Sequence, residues 1–377
     1  MANTSRVTEV AGGAGVAVAE RVAAAHSLWL STLPTIRRAP AAELVPLAEP
    51  VTAPTVTVAG GLAAGHGPIS DMAVSPDGRC LVAAHYGADV VSIVDTASLS
   101  LSATVTGVGE PYAVAVADRA YVSAASTEDD SVVAIDTTTG VPFAAKDIDA
   151  AARALAVSPA GDVLYVARST DDSADIAVID IESGVTRVIA VPAASGMAIE
   201  ALRVSADGAR LFAALTTVTG GTLLIVDTRS RAVERSVPVA GSIGDIAVAP
   251  NGRKVFATGW DAELGGVVNV IDVAAGRVTD TVGLGGVPTQ LVVGRSGELV
   301  HVVDRAKIVV LCAATHEIVD TIAAGAPLSC LAAGSDGRLY AADYAGNISV
   351  LQVGTGTDDA LLELMTAQLP QLAVAAS

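Results

Sequence analysis

The chain has 377 residues, of which 51% are hydrophobic and only 3% are aromatic. Its formal net charge is −18, and no Lys/Arg cluster offers the counterion-releasing surface that a nucleic-acid backbone attracts. No apolar run reaches the roughly 18 residues that a membrane-spanning helix needs. The composition argues against a nucleic-acid partner and a transmembrane segment, and it predicts a large core of Val, Ala, Ile and Leu.

Residues 1–31 are predicted to contain an N-terminal amphipathic helix. An apolar face recurs at helical spacing opposite Glu20 and His26, and it consists of Val18, Val22, Ala25 and Trp29. Two interpretations of this face stay open. It packs on the rim of the protein's own fold, or it contacts a protein partner or associates peripherally with a membrane surface.

Residues 32–54 are predicted to be a linker, because no helix or central strand of useful length fits between their prolines, which are Pro34, Pro40, Pro46, Pro50 and Pro54. The next four residues, Thr55 to Val58, alternate polar and apolar side chains. This alternation predicts a single β-strand directly before the first of a series of repeats.

The repeat unit is clearest between Ser70 and Asp95, which read SDMAVSPDGRCLVAAHYGADVVSIVD. An alternating apolar run leads into a Ser-Pro-Asp-Gly turn at Ser75 to Gly78. A second apolar run follows, and after a polar loop a third run ends at Asp95. The unit therefore predicts three strands and two connections.

The unit recurs along most of the chain. Its closing position is held, at intervals of 40 to 47 residues, by Asp95, Asp136, Asp180, Asp227, Asp272, Cys312 and Gln352. The turn glycine recurs in step as Gly78, Gly161, Gly208, Gly252, Gly297 and Gly337. A period in the forties built from short strands and glycine turns is typical of propeller blades.

Each unit except the last supplies a fourth strand after its closing position, such as Ala232 to Val239. The strand at Thr55 to Val58 can complete the last blade and thereby join the two ends of the chain in one sheet, which removes the open edges of an arc. The predicted fold is all-β, a seven-bladed β-propeller of four-stranded blades over residues 55–353.

Residues 354–377 are predicted to form a C-terminal helix and tail. Capping residues at Thr355 to Asp359 precede an apolar run over Ala360 to Leu369, and Pro370 ends it. Short helices are therefore expected to flank the propeller at both ends.

The repeat is similar to the YVTN-type propeller family, on the strength of its SPDG turn, the following β-pair and the xVxxVD closure. This family includes YncE-like proteins and neighbours the lactonase-like propellers. The resemblance covers about residues 55–353, and the closest matches to the YVTN letters are Leu164 to Ala167 and Leu339 to Ala342. It implies the fold, whereas members of this group bind, scaffold or catalyse with little change in the repeat.

Metal, disulfide and cofactor chemistry finds little support in the sequence. The cysteines Cys80, Cys312 and Cys330 fall inside predicted strands without a pairing pattern, so we expect free thiols and a cytoplasmic protein. The five histidines show no HxH or HxxxH spacing. No cofactor is predicted.

Function in a propeller usually lies at the mouth of the central channel, where the loops before the inner strands meet those between second and third strands. The candidate residues at this mouth are Asp71, Tyr112, Arg153, Glu200, Asp245, Gln290, His85, Tyr86, Trp260, Asp261, Asp343 and Tyr344.

Two functions are consistent with these residues. The favoured hypothesis is a non-enzymatic binding or scaffold propeller that presents its rim and terminal helices to a protein partner. The alternative is a lactonase-like hydrolase, or a propeller that binds a small ligand or Ca²⁺. Asp71, Glu200 and Asp245 would supply oxygen ligands to such a cation, but no catalytic set of residues is identified.

Overall fold

A computed structural model of the protein describes residues 55–125, 130–170, 173–191, 196–217 and 220–354. These residues form 28 strands in seven antiparallel sheets of four strands each. The predicted seven-bladed β-propeller with four-stranded blades is confirmed. The two flanking helices and the proline-rich linker lie outside the described residues.

Strands with the same place in each blade share one role in the ring. The first strands line the central channel, and they are β2 (Asp71–Val74), β6 (Val114–Val116), β10 (Ala151–Val157), β14 (Ala198–Val204), β18 (Ile243–Val248), β22 (Pro288–Val293) and β26 (Leu328–Ala333). The second strands are β3 (Cys80–His85), β7 (Ala120–Ala124), β11 (Val163–Ser169), β15 (Arg210–Thr217), β19 (Lys254–Asp261), β23 (Leu299–Asp304) and β27 (Arg338–Asp343).

The outer half of each blade is built in the same way. The third strands are β4 (Val90–Asp95), β8 (Ser131–Ile135), β12 (Ala174–Asp180), β16 (Gly220–Asp227), β20 (Gly265–Asp272), β24 (Lys307–Cys312) and β28 (Asn347–Gly354). The outermost strands are β5 (Ser100–Thr106), β9 (Pro142–Asp147), β13 (Thr186–Ala190), β17 (Ala232–Val239), β21 (Arg277–Gly283), β25 (Ile318–Ala323) and, for the seventh blade, β1 (Thr55–Ala63). A single 3-10 turn, Tyr86–Ala88, interrupts the described strands.

Closure of the ring through the N-terminal strand is confirmed. Strand β1 pairs antiparallel with β28, from Thr55 opposite Gly354 to Ala63 opposite Asn347, with a bulge between Val58 and Gly60. The strand is therefore longer than the four residues whose alternation predicted it. Because β1 supplies the outer strand of blade 7, the first and last described strands of the chain share one sheet.

The Ser-Pro-Asp-Gly turn is held by its own side chains. The Ser75 hydroxyl donates to Asp77 at 2.6 Å and accepts the Cys80 amide at 3.0 Å. Gly78 has φ +75°, a left-handed conformation that costs glycine least. The recurring glycines of the other turns share this positive φ, which explains why they stay in step through the repeats.

The closing aspartates stabilise the turn to the outer strand. Asp95 accepts hydrogen bonds from the amide and the hydroxyl of Ser98, both at 2.7 Å, and these bonds lower the pKa of its carboxyl. Asp180 and Asp227 repeat this arrangement with Ser183 and Ser230. A carboxylate that satisfies turn amides in this way is a structural feature of the blade.

The largest side chains of the core share one place in the blades. This position in the second strand, the aromatic slot, is opposite Ala73 and its equivalents, and it holds Val82, Tyr121, Tyr165, Phe212, Phe256, His301 and Tyr340. Every buried Phe and Tyr of the described residues is among them. Tyr340 of blade 7 packs with Met72 and Leu81 of blade 1, so these side chains join neighbouring blades.

Candidate functional site

The seven first strands enclose a channel of about 680 Å³. We call the side on which the first strands begin the upper face, and the side of the Ser-Pro-Asp-Gly turns the lower face. Because strands alternate in direction, the loops between second and third strands also lie on the upper face. All twelve candidate residues therefore belong to this end of the propeller.

Asp71 stands at the start of β2 and links blade 1 to blade 2. Its Oδ2 accepts the Val114 amide at 2.8 Å and its Oδ1 accepts the Met72 amide at 2.9 Å. Burial raises the pKa of this carboxyl from 3.8 to about 6, although the Val114 amide and the Arg203 guanidinium oppose that change. The carboxylate thus satisfies an inner-strand amide of the next blade.

Asp245 and Gln290 repeat this arrangement farther round the channel. The Asp245 Oδ2 accepts the Leu291 amide at 3.0 Å, and the Gln290 Oε1 accepts the Leu331 amide. The second oxygen of Asp245 accepts from Arg203 at 2.8 Å, yet burial still raises the pKa of the carboxyl. Three of the predicted mouth residues are therefore hydrogen-bonded parts of the wall.

His85 lies inside the structure and not at the mouth surface. It is the last residue of β3 and is fully buried. In its neutral form Nδ1–H donates to the Gly67 carbonyl at 3.2 Å and Nε2 accepts from the Ser92 hydroxyl at 2.9 Å. Burial lowers the pKa of the imidazole, so this side chain serves the interior of blade 1.

The remaining charged candidates have different surroundings. Arg153 and Glu200 form an ion pair of 3.6 Å on blades 3 and 4, with 53% and 27% of their side chains exposed. Asp261 accepts the amides of Glu263 and Leu264, and Asp343 likewise accepts hydrogen bonds within its own loop. The Arg153–Glu200 pair therefore presents charge at the channel mouth.

Exposed aromatic side chains distinguish the upper face from the rest of the described surface. Tyr86, Tyr112, Trp260 and Tyr344 are 47%, 46%, 52% and 58% exposed. The rings of Tyr86 and Tyr112 meet edge to face at 6.3 Å, and the Tyr86 hydroxyl donates to Glu110 at 3.1 Å. Among the described residues only one other aromatic side chain, Phe143 on an outer strand, is exposed.

The three predicted ligands of the Ca²⁺ alternative are not grouped. Within the described ranges no cluster of three or more His, Cys, Asp or Glu is arranged to hold a metal ion. Asp71 and Asp245 already use their oxygens for backbone amides, and Glu200 pairs with Arg153. The three cysteines are free thiols, and no helix of the described residues is long and apolar enough to cross a membrane.

Arg203 and the aromatic slot were missed by sequence reasoning. Arg203 reaches from β14 into the channel and donates both to Asp245 and to the Leu202 carbonyl. A signal for both was present, because each occupies a fixed offset in the repeat: Arg203 stands two residues after the position aligned with Asp71. Comparison of every position of the blades, and not only those nearest the mouth, would have found them.

Comparisons with known proteins point to the same architecture. No family model matches the chain. The chain is 30% identical over 338 residues to the seven-bladed beta-propeller protein Rv1057 of Mycobacterium tuberculosis, a match that covers 79% of this chain and 86% of that protein.

Two solved structures are also similar. One is Kuenenia stuttgartiensis hydrazine synthase, with a TM-score of 0.70, 22% identity, and coverage of 78% of this chain and 97% of that chain. The other is the Myceliophteria thermophila Cps50 (Swd1) beta-propeller domain, with a TM-score of 0.66, 14% identity, and coverage of 79% and 100%. At these identities both structures show the fold alone.

Proposed function

Because the chain belongs to the seven-bladed beta-propeller family of Rv1057, whose name describes an architecture and no reaction, we propose that it is a non-enzymatic protein that binds a protein partner on its upper face. The observation that carries this proposal is the position of the exposed aromatic side chains. Four of the five in the described residues lie on the upper face, and one of these four, Tyr112, lines the channel.

Exposed Tyr and Trp side chains favour contact with another protein. They bury a large area with little loss of conformational freedom, and they are enriched among residues that dominate binding energy. Trp260 is accompanied on the same face by the exposed side chains of Leu264 and Val287. In a chain with so few aromatic residues, a partner that covers the upper face would remove this apolar surface from water.

The hydrogen bonds of the mouth carboxylates support binding over hydrolysis. A general base must reach a substrate proton with a free lone pair. Asp71 directs its oxygens to the amides of Val114 and Met72. Asp245 directs its oxygens to the Leu291 amide and the Arg203 guanidinium. The lactonase-like alternative would therefore require catalytic groups other than these two carboxylates and the buried His85.

Three finer assignments belong to the same proposal. We assign the repeat to the YVTN-type, YncE-like group on its turn and closure motifs, and we place the protein in the cytoplasm. The apolar face of Val18, Val22, Ala25 and Trp29 lies outside the described residues, and we propose it as a second partner contact.

Capture of partners from native lysate tests the proposal. The bait is the full chain, compared with a variant carrying Trp260→Ser and Tyr344→Ser and with the control Phe143→Ser on an outer strand. We expect the upper-face variant to lose at least about tenfold of a reproducibly captured protein, since hot-spot truncations cost about 2 kcal/mol or more. The control should retain it.

Two outcomes would contradict the proposal. Equal capture by the upper-face variant and by wild type would show that these aromatic side chains do not form the contact. Lactone hydrolysis by the purified protein, abolished by Asp245→Ala in a variant that stays folded, would establish the hydrolase instead.

A further inference from the structure

A second cavity lies on the lower side of the propeller, between blades 4 and 5, away from the upper face. It encloses about 530 Å³ and is lined by Arg210, Ile225, Glu234, Arg235, Asn251, Gly252, Arg253, Val273 and Ala274. Three arginines and one glutamate thus face the same space, in a chain whose formal charge is −18. We call it the arginine cleft.

Two of the three guanidinium groups are uncompensated. Arg210 Nε donates to Glu234 at 3.0 Å, which neutralises both side chains. Within the part of the chain that the structure describes, the guanidinium groups of Arg235 and Arg253 have neither a hydrogen bond nor an ion pair. Beyond the Arg210–Glu234 pair, the lining of the cleft therefore carries two positive charges, on the exposed side chains of Arg235 and Arg253.

At the equivalent junction between blades 5 and 6, the charged side chains have partners within the protein. In blade 5 the strand position of Arg235 is held by Asp280, because both pair with the residue two before the closing aspartate. Asp280 accepts from His316 Nδ1 at 2.7 Å, and His316 Nε2 lies 2.7 Å from the Lys254 Nζ. Charge between blades 5 and 6 is thus satisfied within the protein.

Between blades 4 and 5 the corresponding turn residue has no side chain. Gly276 stands where blade 6 has His316, and the Arg235 side chain lies directly over it, where a Cβ would overlap the Arg235 Cδ and Nη1. Arg235 is therefore held at the wall of the cleft by contact with the backbone of the next blade. This junction therefore has the cation Arg235 where the junction of blades 5 and 6 has the acceptor Asp280.

We propose that the arginine cleft binds a phosphate monoester that carries an apolar group. A phosphate dianion matches two uncompensated guanidinium groups in charge, and arginine binds phosphate oxygens through paired N–H donors. The cleft is larger than a phosphate alone. Ile225 and Val273 form its buried apolar floor, and Ala274 adds an exposed methyl group beside the arginines. A carboxylate monoanion would neutralise only one of the two guanidinium groups.

Titration of the full chain with phenyl phosphate, inorganic phosphate and benzoate tests this inference. Isothermal calorimetry at low ionic strength should give the tightest binding for phenyl phosphate, weaker binding for inorganic phosphate and the weakest for benzoate. Arg235→Gln and Arg253→Gln should each weaken phenyl phosphate at least about tenfold, the effect of losing about 1.4 kcal/mol from a charge-assisted contact.

Matched controls come from the repeat itself. Arg187 occupies the strand position of Arg235 in blade 3, and Arg79 the turn position of Arg253 in blade 1. Arg187→Gln and Arg79→Gln remove the same charge elsewhere and should leave the affinity within about twofold of wild type, since neither side chain lines the cleft. An equal loss of affinity for phenyl phosphate in the control variants would show that only the net charge of the protein matters, and it would overturn the proposal. Benzoate binding as tightly as phenyl phosphate would also overturn it.

Discussion

His301 differs in chemistry from the residues at the equivalent position of the other blades. It occupies the aromatic slot of blade 6 and is 2% exposed, and neither ring nitrogen has a hydrogen-bond partner among the described residues. Burial lowers its pKa from 6.5 to about 4. The other blades place Val, Phe or Tyr at this position, so the repeat accepts side chains without a titrating nitrogen here.

Replacement of His301 by Phe should stabilise the protein and reduce its acid sensitivity. The unfolded chain takes up a proton near pH 6.5 whereas the native imidazole does so near pH 4, so stability falls as the pH decreases between these values, by up to about 3 kcal/mol. His301→Phe removes that loss, together with two unsatisfied nitrogens that cost about 1 kcal/mol or more at pH 7. Urea unfolding between pH 4 and 8 measures both effects.

The reciprocal substitution is the control for this prediction. Phe256 occupies the same slot in blade 5, so Phe256→His should lower stability at pH 7 and steepen its decline below pH 6.5. If His301→Phe left the pH profile of stability unchanged, the imidazole would not be buried in its neutral form.

At the scale of the strand, neighbouring blades are joined by side chains that replace a missing sheet partner. The inner edge of each first strand has no further strand to pair with, and its amides need other acceptors. Asp71, Asp245 and Gln290 meet that need for Val114, Leu291 and Leu331 of the following blades. These contacts make the channel wall continuous at three junctions.

Gln290→Met should therefore destabilise the protein without changing its surface charge. The change keeps the length of the side chain and removes the acceptor of the Leu331 amide, and a buried amide left without a partner costs about 1–3 kcal/mol. Chemical denaturation measures the loss. Thr289→Val at the adjacent exposed position is the control and should change stability by less than about 0.5 kcal/mol. Equal stability of the two variants would show that water replaces the glutamine oxygen.

At the scale of the whole molecule, closure depends on β1. This strand covers the edge of β28 over eight pairs of residues, from Thr55 opposite Gly354 to Ala63 opposite Asn347. Without it, blade 7 would expose the outer edge of a strand whose other neighbours are buried, and such edges promote association between chains. The ring is therefore closed by an N-terminal strand that pairs with the C-terminal strand of blade 7.

Removal of residues 1–58 should lower the melting temperature strongly and cause aggregation, because it takes away half of this strand. Removal of residues 1–45 takes away none of the described strands and should be much milder. Thermal melting with light scattering compares the two truncations. Closely similar melting curves would mean that pairing between β1 and β28 contributes little to the stability of the ring.

The blade architecture was predictable from the sequence because its determinants are local. A turn with glycine at positive φ recurs in six of the seven blades, and an aspartate that accepts the amides of its own turn recurs in five, because each blade forms the same turns with residues close together in the chain. The closing strand was predictable for a related reason: one alternating segment was left over, and one blade was one strand short.

The state of the mouth residues was decided only by the tertiary structure. Asp71 accepts the amide of a residue 43 positions later, and Asp245 one 46 positions later, so no local pattern reveals that these carboxylates are already hydrogen-bonded. The burial of His85 beside Gly67 and the meeting of Arg235 with Arg253 in one cleft likewise join distant parts of the chain. Local chemistry specifies a blade, whereas the contacts between blades determine which side chains remain free to bind.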